Sequence, residues 1–223
     1  MTKASTPETN NSDARDRLVL AALRLFAEKG FEAATTREIC EAAGANISAI
    51  RYYFGDKAGL YRTVFHEPCE KMPARANREK YLSLPIAEAL DLFFSDFLTP
   101  FKMDENINLV MKLHFREMLE PTGAWQEAIE SEIKPQHEAL TTLLKQHLGL
   151  ARIDMDLQRL AFAMIGMAVH LFVGQEVVAA IAPQMLASPK AIDLMAKRLS
   201  GYALAMVKSE AERRALEKGD GNQ

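Results

Sequence analysis

The chain has 223 residues, 48% hydrophobic and 26% charged, ordinary globular usage that excludes a fibrous or wholly disordered polypeptide. At roughly 100–200 residues per domain it makes one large domain or two modest ones. Its 27 basic and 30 acidic side chains give a net charge of −3, which excludes a bulk polyanion binder, and its two cysteines, Cys40 and Cys69, cannot build a disulfide framework. Residues 1–12 are polar and lack periodicity, so they are expected to be a disordered tail. They also lack the apolar core of a signal peptide, and a cytoplasmic location is expected. Leu18, Ala21, Ala22, Leu25 and Phe26 then fall on one face of a first helix. Gly30 can end it. Thr35 and Glu38 have the spacing of a capping box opening a second helix, with Ile39, Ala42 and Ala43 inward, and Gly44 breaks it. Asn46 is a good cap for a third helix over 47–54, with Ile50 and Phe54 inward. Gly55 breaks again. Asp56 caps a fourth helix carrying Leu60, Tyr61, Val64 and Phe65, with Pro68 at or just past its end.

Prolines 85, 100, 121, 135 and 183 punctuate a second block. Helices are expected over 86–98, 107–119, 123–148, 156–182 and 189–216, the third kinked by Pro135. No run of β-branched alternation bounded by turns suggests a sheet. The fold class is therefore all-α: an N-terminal domain with the outline of a three-helix helix-turn-helix, plus a C-terminal helical domain. The expected limits are a tail at 1–12, the N-terminal domain at 13–66, the C-terminal domain at 67–218, and a tail at 219–223. The uninterrupted apolar run at 160–169 is ten residues long, short of the about 20 that a membrane span needs. A helix buried on nearly all faces, partly by a second subunit, is expected there, and no membrane partner.

Two short helices joined by a tight glycine turn suit a helix-turn-helix. With Ile50 and Phe54 inward, Ile47, Ser48, Ala49, Arg51, Tyr52 and Tyr53 are left wholly or partly outside. An α-helix fits the major groove of duplex DNA. There, Tyr and Ser hydroxyls can bond phosphates or base edges, and Ile or Ala can pack on thymine methyls. Thr36 and Arg37 open the second helix, whose first N–H groups can bind phosphate. Lys57 sits in the first turn of the fourth helix, unfavourably for the helix dipole unless an anion is near. Residues 1–66 carry 9 basic and 8 acidic side chains, a net of +1. That bias is weak, and ordinary solvated charges are the competing reading.

Residues 17–65 resemble the DNA-binding domain of TetR-family transcriptional regulators. The specific parts are the first helix with Leu25-Phe26 and Gly30, Thr35-Thr36-x-x-Ile39, Ala43-Gly44, and Tyr53-Phe54-x-x-Lys57-x-x-Leu60. The runs 46–54 and 116–122 are also similar to the CecR-like subgroup. The resemblance implies a ligand-responsive repressor that binds a near-palindromic double-stranded DNA operator as a homodimer. A small-molecule effector, not identified by the sequence, would release it. It further implies that Thr36 and Arg37 touch phosphate or a base edge. Ile47, Ser48, Ala49 and Tyr52 would face bases or sugar-phosphate, and Tyr53 and Lys57 would hold phosphates. Arg51 stands where many members have an aromatic residue, and it would add a phosphate contact.

The last two helices are the expected dimer surface. Leu160, Met164, Met167, Leu171 and Gly174 recur every three or four residues, and Tyr202 and Met206 continue an apolar stripe on the final helix. Phe97, Met111, His114, Phe115, Met118, Trp125 and His137 are the candidate ligand pocket, since an apolar cavity with a few polar groups suits a small molecule. Plain core packing is the alternative for them. His114 and Glu117 stand at i, i+3, but two ligands are too few for a metal. No metal, cofactor or catalytic residue is expected, and so no enzyme. The rival reading is a small helical enzyme or carrier whose apolar cavity is its whole function. Sequence-specific retention of duplex DNA that weakens with salt separates the two.

Overall fold

A computed structural model describes residues 7–68 and 78–220, apart from the side chains of 7–12, 78 and 218–220. Cys69, residues 1–6 and residues 221–223 lie outside the described residues. Among the described residues all regular structure is helical. The helices are α1 (Pro7–Ala33), α2 (Thr36–Ala43), α3 (Ser48–Phe54), α4 (Lys57–His66), α5 (Arg78–Ser83), α6 (Ile86–Leu98), α7 (Glu105–Leu119), α8 (Gly123–Ala128), α9 (Lys134–His147), α10 (Met155–Val173), α11 (Gln175–Ile181) and α12 (Pro189–Asp220). Short 3-10 turns cover Thr99–Lys102 and Pro183–Met185, and a π-helical turn covers Ile129–Ile133.

The chain packs as two compact units. The first joins α1–α4 to α7 and α8, which the sequence alone assigns to the C-terminal domain. The reason is burial. Val110, Leu113 and Glu117 of α7 and Ala124 and Ala128 of α8 are enclosed. All but Glu117 join one apolar cluster with Leu18, Ala22, Phe26, Ile39, Ile50, Leu60, Val64 and Phe65. Tyr61 fits edge-on against Phe26 and Phe31, ring centroids 4.9 Å away in each case.

The second unit is built on α6, α10 and α12. Ile192, Ala196, Leu199, Ala203 and Val207 form the inner stripe of α12, and Phe93, Phe94 and Leu98 are the buried bulk of α6. Asp154 caps α10 by accepting from the Leu157 N–H at 2.9 Å. It also takes both Nη groups of Arg214, at 2.7 and 2.8 Å. That bidentate pair holds the Asp154 carboxyl well below its ordinary range.

Several expectations need correction. Residues 7–12 are the opening turns of α1 and not a tail, and α12 runs on to Asp220. The helix expected over 123–148 is divided by the π-helical turn at Ile129–Ile133. Pro135 then sits in the first turn of α9, where its missing N–H costs nothing. The helix expected over 156–182 stops at Gly174, and α11 starts anew. α5 is an addition that the apolar pattern does not signal. α10 is long and apolar enough to cross a membrane by length and composition alone, with 39% of the stretch buried. The remainder of its surface is open in the single protomer. Leu160, Met164 and Leu171 point into the protomer's own core, so they are not free to face a partner. Met167, Gly174 and Met206 are half-buried, and Tyr202 is exposed. The outward apolar face is carried instead by Phe162, Val173, Val177, Ile181, Leu194 and Tyr202.

Candidate nucleic-acid interface

Local chemistry sets the α2–α3 hairpin. Thr35 Oγ1 accepts from the Glu38 N–H at 3.2 Å, and the Thr35 N–H donates to Glu38 Oε2 at 3.0 Å. This reciprocal pair is the capping box expected from spacing. Lys29 Nζ adds a contact to Glu38 at 2.7 Å. That ammonium, with the Thr35 donors, pulls the Glu38 carboxyl down to about 2. At the other end Gly44 adopts φ +59, ψ +39. Its N–H reaches the Glu41 carbonyl at 3.2 Å, and the Ala45 N–H reaches the Cys40 carbonyl at 2.9 Å. These two bonds close the helix end and turn the chain. Arg17 Nε donates to the Ala43 carbonyl at 3.0 Å, fastening α1 to the same end of α2. Cys40 is buried, which pushes its thiol up, and Sγ lies 3.7 Å from the Asn46 carbonyl. It is core.

α3 is opened by Asn46, whose Oδ1 accepts from the Ser48 N–H at 3.0 Å. Ile50 is its buried residue. Gly55 ends it, and Asp56 Oδ1 accepts from the Gly59 N–H at 2.7 Å to start α4. A Cβ on Gly59 would stand 1.9 Å from the Phe54 carbonyl oxygen. Only a glycine lets the two chain segments approach this closely.

The candidate residues of 47–53 lie wholly or partly at the surface of the hairpin. Ile47 is 59% and Tyr52 74% exposed. Ser48 and Arg51 are exposed, and Ala49 and Tyr53 are half-buried. Ser48, Ala49, Arg51, Tyr52 and Tyr53 line one shallow surface concavity. The Tyr52 and Tyr53 rings meet edge-on, centroids 4.8 Å apart. Thr36 is half-buried at the start of α2, and Arg37 is exposed with Nε 2.9 Å from Glu41 Oε1. Lys57 differs from expectation. Its ammonium already has partners, the Glu32 carbonyl at 3.3 Å and the Phe31 ring at 4.6 Å. The lysine's place in a first turn therefore does not by itself demand an anion.

Sequence reasoning misses the residues that fasten α7 to α4 and α1. Tyr61 donates to the carboxyl of Glu117, which is 1% exposed. The same carboxyl accepts from the Thr122 N–H at 2.8 Å and its hydroxyl at 3.1 Å. Burial, then the adjoining Glu117, push the Tyr61 phenol well above its ordinary range. Arg116 Nη1 reaches the Glu28 carbonyl at 3.4 Å, and its guanidinium fills the space that a Cβ on Gly30 would occupy. A signal exists in the run 116–122, which stands out by resemblance, with no role attached.

The candidate pocket residues divide between the units. In the first, His114 stacks on Phe65 at 3.8 Å, with Nδ1 2.9 Å from the Val110 carbonyl. Trp125 meets Phe65 edge-on at 6.5 Å, and Met118 is 47% exposed. Met111 and Phe115 are half-buried. In the second unit, Phe97 packs between Phe93 and Phe172, and His137 bonds Gln158 beside Phe162.

A capped helical hairpin with an exposed second helix, in a chain whose described residues form helices alone, has the form of a helix-turn-helix protein. Comparison with known proteins narrows this. Residues 18–64 match the family described as bacterial regulatory proteins, tetR family. Residues 86–208 match the C-terminal domain of the HTH-type transcriptional dual regulator CecR. CecR of Shigella flexneri is 32% identical over 176 residues, 74% of this chain and 78% of that protein. The repressor AcnR of Corynebacterium glutamicum is 38% identical over 72 residues, 32% of this chain and 37% of that protein. Among solved structures, the fatty acid degradation regulator FadR of Bacillus halodurans has a TM-score of 0.62 at 18% identity. The overlap covers 91% of this chain and 97% of that one. PfmR of Thermus thermophilus, a TetR-family regulator, has 0.61 at 20% identity, covering 86% and 98%. The chain belongs to the TetR family of transcriptional regulators and carries a CecR-type C-terminal domain. It is a DNA-binding regulator and not an enzyme.

Proposed function

We propose that this regulator is a homodimeric repressor that reads a near-palindromic operator through α3 and is released by a small-molecule effector. The observation that carries the reading is the outward side of α3 and its N-cap, where Tyr52 and Ile47 stand 74% and 59% exposed. Large apolar and aromatic groups held open on so short a helix suit base edges and thymine methyls in a major groove. Thr36, Arg37, Tyr53 and Lys57 supply phosphate contacts around it, and Arg51 adds one more.

One such helix contacts too little DNA for tight specific binding, so two copies are required, set at half-sites a helical turn or more apart. The exposed apolar side chains Phe162, Val173, Leu194 and Tyr202 on α10 and α12 support a two-fold helical interface. Repression is favoured by the likeness to AcnR, a transcriptional repressor. The effector must bind the DNA-incompetent state more tightly, since equal affinity shifts nothing.

Selection of duplexes from a random pool tests this. A two-fold symmetric motif is expected, bound by a dimer in sedimentation and weakening steeply with salt. A small-molecule screen for release then finds the effector. A chain that stays monomeric on its selected duplex, or retains no duplex, refutes the proposal.

A further inference from the structure

The geometry points to Ser48 as an acceptor-only reader of the half-site, selecting an amino-bearing base, adenine or cytosine, over a keto-bearing one, guanine or thymine. The inference rests on the α3 reading above and adds the polarity of one contact.

Ser48 is exposed, and two of its atoms meet a single atom of Asn46. Its backbone N–H donates to Asn46 Oδ1 at 3.0 Å, and its Oγ lies 3.0 Å from the same Oδ1. The first bond settles the second. A backbone N–H can only donate, so the amide atom it meets is oxygen and not nitrogen. Two oxygens bonded at 3.0 Å need a hydrogen between them. An amide oxygen carries none, so the hydrogen belongs to Ser48. A serine hydroxyl has one hydrogen and two lone pairs. With the hydrogen turned back to Asn46, only lone pairs remain for a ligand.

The major groove distinguishes bases by this polarity. Adenine offers its N6 amino group and cytosine its N4 amino group, whereas guanine O6 and thymine O4 are acceptors. An amino group can donate to the Ser48 lone pairs. A keto oxygen would face them with no hydrogen between. Rotating the hydroxyl toward a keto base forfeits the Asn46 bond, which sets the discrimination at about two- to tenfold, the worth of one neutral hydrogen bond. Asn46 thereby becomes a specificity-determining residue with no need to touch DNA: it acts through the hydrogen it holds.

The test is duplex selection with the full chain, as wild type, Ser48→Ala and Asn46→Ala. Ser48→Ala keeps the backbone bond to Asn46 and places a good helix former in α3, so it folds. Wild type is expected to show one half-site position where A or C is preferred about two- to tenfold over G or T on the contacted strand. Ser48→Ala accepts all four bases there within about twofold, a change smaller than one hydrogen bond supplies. Asn46→Ala, which frees the hydroxyl hydrogen, gains keto bases at that position. Because it also removes a helix cap, a second arm uses no Asn46 variant. The selected base is replaced by its analogue lacking the exocyclic amine. The replacement weakens wild-type binding and leaves Ser48→Ala unchanged. A keto preference at the Ser48-dependent position, or identical motifs for wild type and Ser48→Ala, overturns the inference and leaves α3 as the reading helix. Failure to enrich any motif overturns both.

Discussion

The Tyr61 hydroxyl donates to Glu117, joining α4 to α7 across 56 residues of sequence at a site where both side chains are buried. The bond makes α7 part of the unit that holds α3. Removing its donor leaves a carboxyl oxygen enclosed without that partner, at a cost of about 1–3 kcal/mol. Tyr61→Phe is therefore expected to lower the urea midpoint with little change in slope. A midpoint equal to wild type would show that the bond contributes nothing.

Gly59 and Gly44 are expected to respond to alanine for different reasons. At Gly44 a Cβ meets nothing within 4 Å, and the cost is the left-handed backbone alone, about 1–2 kcal/mol. At Gly59 the Cβ would lie 1.9 Å from a backbone carbonyl, so α3 and α4 must part. Gly59→Ala should lose more stability than Gly44→Ala and should lose operator binding even where it remains folded. Thermal melts and band shifts on the two variants, run side by side, decide it. Equal behaviour in both assays would rule out the close approach.

Acid should loosen the capping box. The folded Glu38 carboxyl titrates at about 2, below its ordinary 4.5. A depressed carboxyl contributes stability that is present above the ordinary value and lost as pH falls toward the folded one. The stability gap between wild type and Glu38→Gln should thus be full near neutral pH and close between about pH 4.5 and 2. Melting temperatures of both proteins across that window give the comparison. A gap that widens on acidification contradicts the assignment.

Lys57→Ala should weaken binding to every duplex alike and reduce the salt slope by about one. Tyr52→Ala should cost specific binding and leave the oligomeric state untouched. Salt titrations on selected and scrambled duplexes, with sedimentation, measure both. A shifted base preference in Lys57→Ala would remove it from the phosphate contacts, and a monomeric Tyr52→Ala would undo the separation of reading and assembly.

The hairpin is legible in the sequence because its signals are local. Thr35 with Glu38, Gly44, Asn46 and Asp56 each bond within a few residues, and spacing alone reports such bonds. Gly59 is not legible, since its need comes from Phe54 folding back on it. The association of α7 with α1–α4 is hidden for a similar reason: Glu117 meets Tyr61 only in three dimensions. On α10, Leu160, Met164 and Leu171 alternate with Phe162, Gly166 and Val173, so the helix is apolar on more than one face. Periodicity finds such a helix without saying which stripe the protomer keeps for itself.

Lys57, settled between the Glu32 carbonyl and the Phe31 ring, has a resting place when no duplex is present. Under the phosphate role proposed for Lys57, docking there would be an exchange of partners: an anion would have to draw the ammonium away from both the carbonyl and the ring.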